Sequence, residues 1–169
     1  MKGARACLLT LLLSGCGPPQ RSEQSETPGA RLEAAATRAG LIADPAAGSL
    51  VGAWMLDTDR ACIVPAGRGV SRIGVLVDYG EGQGCVASGT LTRKGGALDI
   101  RLGDDCRIDA KFDGTRIIFP PAVPEGCRTV CRGRASLESF TVEQVSQSVS
   151  EAGTLRGVDG APLCATPGG

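Results

Sequence analysis

Between Leu50 and Pro120 glycine turns cut the chain into short apolar or alternating runs, and that punctuation leaves the β-strand as almost its sole building unit. The spacing predicts strands at 50–56, 61–65, 70–78, 85–94, 97–102, 106–112 and 115–120. The turns between them carry Gly67-Arg68-Gly69, Gly80-Glu81-Gly82, Lys94-Gly95-Gly96, Gly103-Asp104-Asp105 and Asp113-Gly114. Asp113-Gly114 is the clearest hairpin signal, because both residue types tolerate the positive φ of a tight turn. Short strands at this spacing predict a mainly β fold, an antiparallel meander closing toward a small barrel or sandwich.

The flanks read differently. Pro120-Pro121 and Pro124 end the meander in an extended loop. A further strand is expected at 133–145, with Leu137, Phe140, Val142 and Val145; its alternation slips near Ser139, which suggests a bulge. Ser148-x-x-Glu151 has the form of a capping box and predicts a short C-terminal helix to about Arg156. Ahead of the strands, Arg31 to Ile42 reads as a helix with Leu32, Ala35, Ala36 and Ala39 near one face, stopped by Asp44-Pro45. It is expected to pack on the outside of the domain or to cover an open sheet edge.

The first sixteen residues set the compartment. Lys2 and Arg5 precede the apolar run Ala6 to Leu13, and Leu13-Ser14-Gly15-Cys16 follows. The run falls short of the roughly 18–20 apolar residues a bilayer span needs, and fits the core of a secretory signal. The segment resembles the signal and lipobox of bacterial lipoproteins. The resemblance implies that residues 1–15 are removed and that Cys16 is acylated, so that the protein's first partner is the lipid bilayer. Gly17 stands where an aspartate often retains such proteins in the inner membrane, which favours the outer membrane with the domain in the periplasm. Residues 16–30, polar and rich in Pro, Ser and Glu, form a tether reaching about 20 Å as a flexible chain. Residues 31–169 are then a single β-rich domain with an N-terminal helix.

From Cys16 onward 16 Lys and Arg face 18 Asp and Glu, a formal charge of −2 that gives no reason to expect nucleic acid. Five aromatic residues occur, Trp54, Tyr79, Phe112, Phe119 and Phe140, so Val, Ile, Leu and Ala must build the core. A thin core wants staples. Cys7 leaves with the signal and Cys16 takes lipid; Cys62, Cys85, Cys106, Cys127, Cys131 and Cys164 remain, an even number that reads as a disulfide framework in an exported domain. Sequence leaves the connectivity open; proximity in the chain suggests Cys62–Cys85 and Cys106–Cys127, and Cys131–Cys164 would then tie down the C-terminus. The rival use of Cys127-x-x-x-Cys131 is as thiolate ligands of zinc, disfavoured by an oxidising compartment and by a chain with no histidine.

The same lack of histidine removes the usual base of nucleophilic triads. The carboxylates that could do acid–base work, Asp57 and Asp59, and Asp104, Asp105 and Asp109, flank turns, where aspartate is expected for local hydrogen bonding. The stretch from Asp104 to Asp113 lacks the ordered oxygen spacing of a calcium loop. Gly80-x-Gly82-x-Gly84 looks like a phosphate loop but precedes a strand, not a helix. No catalytic residue, metal or cofactor is expected. Arg128, Arg132 and Arg134 surround Cys127 and Cys131, and tied-down cysteines would hold the guanidiniums as one patch for carboxylate or phosphate; a solvated, salt-bridged surface is the plainer reading.

Gly52-Ala53-Trp54 opens the first expected strand, and Cys62 follows shortly. The triplet resembles the Gly-x-Trp of lipocalin-like barrels and the first strand of periplasmic protease-inhibitor barrels, over about residues 50–112. Trp54 serves equally as a plain core anchor. The expected function is a non-enzymatic, membrane-anchored module that binds a protein or envelope component; the resemblance implies inhibition of a hydrolase or protease as its specific form. The alternative is a carrier of a small apolar ligand. The barrel interior separates the two: a core closed by Trp54, Val75, Val77, Ile100 and Phe112 argues for binding by loops, and a roomy cavity argues for a carried ligand.

Overall fold

A computed structural model describes residues 27–42, 44 and 47–164. Each of the seven expected runs forms a strand: β1 (Gly52–Leu56), β2 (Asp59–Gly67), β3 (Val70–Gly80), β4 (Gln83–Lys94), β5 (Ala97–Leu102), β6 (Cys106–Phe112) and β7 (Arg116–Ile118). A 3₁₀ turn (Glu125–Val130), the two-residue β8 (Cys131–Arg132), β9 (Thr141–Ser146) and the helix α2 (Val149–Thr154) complete the order. The Ser148 hydroxyl caps α2, accepting the Glu151 N–H at 3.3 Å as the sequence pattern implies.

The sheet is antiparallel and closes on itself as an eight-stranded barrel. Strands β1 to β7 follow one another, and β9 fills the place between β7 and β1. Two local features make the seam. Gly52 sits at φ +135° with its Cα so close to β9 that a Cβ would lie 1.8 Å from the Ser146 carbonyl oxygen; only glycine fits there. The register between β1 and β9 then shifts between Ala53 and Trp54. On the other side β7 is short because its next bonding position opposite β6 falls on Pro120, which has no N–H to donate.

Alternation sorts side chains to the two faces of the wall. On β3 Ile73, Val75 and Val77 point inward, and on β6 Cys106, Ile108, Ala110 and Phe112 do the same. Together with Trp54, Ile63 and Ile100 they form one buried core, as eight strands leave just enough interior for side chains. Both ends are stoppered. At the end where the chain enters β1, Trp54 donates its indole N–H to the Leu50 carbonyl at 3.0 Å and meets Phe112 edge-on at 5.9 Å. The Arg93 guanidinium lies 4.7 Å over the Phe112 ring and donates to the Gly48 carbonyl at 2.5 Å. At the opposite end residues 119–140 turn inward, burying Phe119, Leu137 and Phe140 in the same core.

A second, smaller core lies outside the wall. Cys62, Val64 and Leu76 face outward from β2 and β3 and are covered by Ala152 of α2, Leu163 and Cys164. Gly74 sits beneath this strap, where a Cβ would fall 2.2 Å from the Leu163 carbonyl oxygen.

The wall also decides the disulfides. Cys106–Cys127 forms as proximity suggested, but the other two pairings are exchanged: the bonds are Cys62–Cys164 and Cys85–Cys131. Cys62 and Cys164 belong to the outer core, Cys85 and Cys131 to the inner one, so the expected Cys62–Cys85 bond would have to cross the barrel wall. With Cys127 and Cys131 both oxidised, neither is a thiolate for zinc.

Two expected elements differ. The strand expected at 133–145 is β9 alone, because Ser139 takes φ +56° and Leu137 and Phe140 leave the strand pattern to stopper the barrel. The N-terminal helix is α1 (Pro28–Arg38), which starts inside the expected tether on a Thr27 cap and buries none of its residues. It neither adds to a core nor covers a sheet edge; the barrel closes its own edges. The expected signal segment and Cys16 lie outside the described residues.

Candidate functional site

Because the interior is filled, ligand-sized space is found on the outside of the barrel, around the stoppered upper end. Two disulfides hold this end. Cys106–Cys127 pulls the 3₁₀ turn onto β6, and Cys85–Cys131 pins β8 against the start of β4, where Gly84 pairs with Arg132. Gly126 packs so closely on the Asp105 carbonyl that a Cβ would stand 2.3 Å away. Gly133, at φ +68°, folds the chain back over Gln83, whose side-chain oxygen accepts the Arg134 N–H at 3.4 Å.

These contacts frame two clefts. The first, of about 650 Å³, lies between the 3₁₀ turn and residues 133–138, with Arg128, Arg134, Glu125 and Glu138 on its lining. The second, of about 560 Å³, lies between the β3–β4 hairpin, β8 and the turn at Asp159, with Asp78, Glu81 and Arg132 above Val86, Val130 and Val158.

The three arginines singled out in the sequence therefore do not share one face. Arg128 and Arg134 line the first cleft and Arg132 the second, because the left-handed Gly133 reverses the chain between Arg132 and Arg134. Arg128 is bonded to Glu125 at 2.9 Å on a well-exposed surface, an arrangement that adds little stability. Arg132 and Arg134 are exposed. Tyr79, 61% exposed between the cleft-lining Asp78 and Gly80, had not been singled out. Its place beside the Gly80-Glu81-Gly82 turn was the signal, since an aromatic at a hairpin tip has no core to enter.

One turn carboxylate does local work. Asp113 accepts the N–H groups of Thr115 and Arg116 at 3.0 and 2.8 Å and pairs with the Arg116 guanidinium at 3.0 Å. Burial pushes its carboxyl up, but these bonds outweigh it and hold the acid below its usual value. Asp109 faces outward opposite Asp99, far in character from a calcium cage. Gly80 and Gly82 serve the β3–β4 hairpin at φ +75°, not a phosphate.

Asp59 is the opposite case. Burial raises its carboxyl above the usual value, neighbouring Asp57 adds to the rise, and Arg60 works against both. An acid raised on folding favours the native state below its unfolded value and loses that contribution as pH climbs through the folded one. Asp59→Asn is therefore expected to raise the melting temperature at pH 7 and to bring no gain near pH 3. Paired thermal melts at the two pH values check this, and equal shifts at both would remove the charge explanation.

No family model matches the chain, and no curated protein or solved structure matches it. No helix among the described residues is long and apolar enough to cross a membrane.

Proposed function

We propose that the protein is a lipid-anchored envelope lipoprotein whose barrel is a non-enzymatic module, binding a protein or another envelope macromolecule through the clefts of its disulfide-clamped end. The observation that carries this reading is the filled interior: Trp54, Val75, Val77, Ile100 and Phe112 are all buried in one core. A carrier of a small apolar ligand needs an enclosed cavity, and the clefts described above are open grooves lined by loops and strand ends. Clefts held in place on a solid barrel offer a partner's surface a fixed template, which supports binding of a macromolecule, with inhibition of a hydrolase or protease as the specific form. The two disulfides of this end limit the ordering entropy lost on binding.

Crosslinking in the native envelope tests it. The wild-type protein is expected to capture one reproducible macromolecule, and Arg132→Ser with Arg134→Ser to lose it while melting normally. Capture of lipid alone, or undiminished capture by the variant, counts against the reading. Cys16→Ala should move the protein from the membrane to the soluble periplasmic fraction, and retention in the membrane would end the lipoprotein part by itself.

A further inference from the structure

The two ends of the barrel differ in charge. At the upper end every hairpin tip carries carboxylate: Asp57 between β1 and β2, Glu81 between β3 and β4, Asp104 and Asp105 between β5 and β6. Arg128, Arg132 and Arg134 lie at this end too, among Glu125, Glu138, Asp78 and Asp159, so acids still outnumber bases there. At the lower end the tips and their flanks are basic. Arg68 is the tip between β2 and β3, Arg93 and Lys94 run into the Gly95-Gly96 turn, and Lys111 and Arg116 flank Asp113-Gly114. Asp113 is the one carboxylate among them and is already spent on its own turn and Arg116. Glu143, register partner of Arg116, lies level with it, so that Arg116 stands between two carboxylates. Strand geometry fixes where these cations point. Lys94 and Lys111 are both exposed and both pair with Ala97, so one strand separates them on the outer face. Arg68 is exposed at its tip, and Arg93 closes the barrel mouth behind them.

The basic end is also the end at which the chain enters. Gly48 to Leu50 lead straight into β1 there, and Arg93 holds Gly48 by its carbonyl. Residues 47–50 thus enter the barrel from the basic side, while the clamped clefts lie at the far end.

We infer that the lower end of the barrel is a docking surface for an anionic lipid bilayer, engaged through Arg68, Lys94 and Lys111 and holding the upper clefts away from the membrane. The inference rests on the envelope location proposed above, but not on acylation, since the charge asymmetry belongs to the folded barrel. Basic side chains within a Debye length of anionic headgroups bind them additively, and the attraction is screened by salt. The cations are spread over separate hairpins, so the fit is to a charged plane and not to one phosphate. A single lipid chain with a basic patch also anchors far more firmly than the chain alone.

Hydrogen exchange on the full-length protein tests it. The protein is reconstituted at low ionic strength in vesicles of phosphatidylcholine, or of phosphatidylcholine with a third of phosphatidylglycerol. Amides of the 67–69 and 94–96 turns are expected to exchange several-fold more slowly in the anionic vesicles, with the 81–82 and 103–105 turns unchanged. High salt should abolish the difference, as should Arg68→Ser, Lys94→Ser and Lys111→Ser together, all at exposed positions. Equal exchange in the two vesicles, protection at the upper turns, or protection reproduced by inorganic phosphate without vesicles would each overturn the docking surface. The intact mass of the purified protein reports acylation separately. If no lipid is attached, co-sedimentation of the free protein with the same two vesicles decides the surface while the anchor alone fails.

Discussion

Trp54→Ala is expected to destabilise the barrel by about 3–5 kcal/mol, the range for deleting a large buried aromatic. The indole is fully buried, bonds to the Leu50 carbonyl and braces Phe112, over which Arg93 lies. Its loss leaves a void at the mouth of the barrel and strands a buried carbonyl without its donor. Denaturant unfolding checks this, read as a fall in midpoint with little change in slope. A Trp54→Phe variant keeps an aromatic ring, smaller and without the N–H, and should fall between the wild type and the alanine variant. A loss under about 1 kcal/mol for the alanine variant would mean that the lower stopper holds without its indole.

Removing the outer disulfide is expected to act almost as strongly, by a different route. Cys62 and Cys164 are 102 residues apart, so their bond restrains the unfolded chain over most of the domain. Replacing both with alanine should cost about 2–5 kcal/mol on the chain-entropy account. The effect is also local. The bond ties α2 and Leu163 over Val64, Leu76 and the bare backbone of Gly74, and the strap has only this small core beneath it. Trypsin should then cut after Arg156, which is exposed, well before it attacks the barrel. Uniform digestion of strap and barrel would show that α2 and the barrel unfold as one unit without the bond.

The strands were legible because alternation and glycine turns are local signals. Asp113-Gly114, Gly67-Arg68-Gly69 and the Ser148 cap all mark their elements within a few residues. The failures came where a side chain served something distant. Leu137 and Phe140 look like strand residues, yet they leave the ladder to fill the barrel's upper end. Leu32 and the alanines around it look like a packing face, yet α1 finds no core to join. Of the candidate site, the residue types around Cys127 and Cys131 were visible, but their division between two clefts was not. That division follows from one left-handed glycine, Gly133, and from the pinning of β8 on β4.

The sequence by itself determined where the strands lie, which residues alternate to one side of each, and that six cysteines would be oxidised together if the chain is exported. Those properties depend on neighbours within a turn or a strand. Tertiary structure decided that the meander closes as a barrel and not a sandwich, through β9 entering beside Gly52. It decided the partners of Cys62 and Cys85, because parity puts one cysteine outside the wall and the other within it, and only a closed wall gives those two words a meaning. It also gathered cations scattered over three hairpins onto the end where the chain enters. Each of these is a relation between segments far apart in the chain, set by closure and packing, for which no local pattern carries the information.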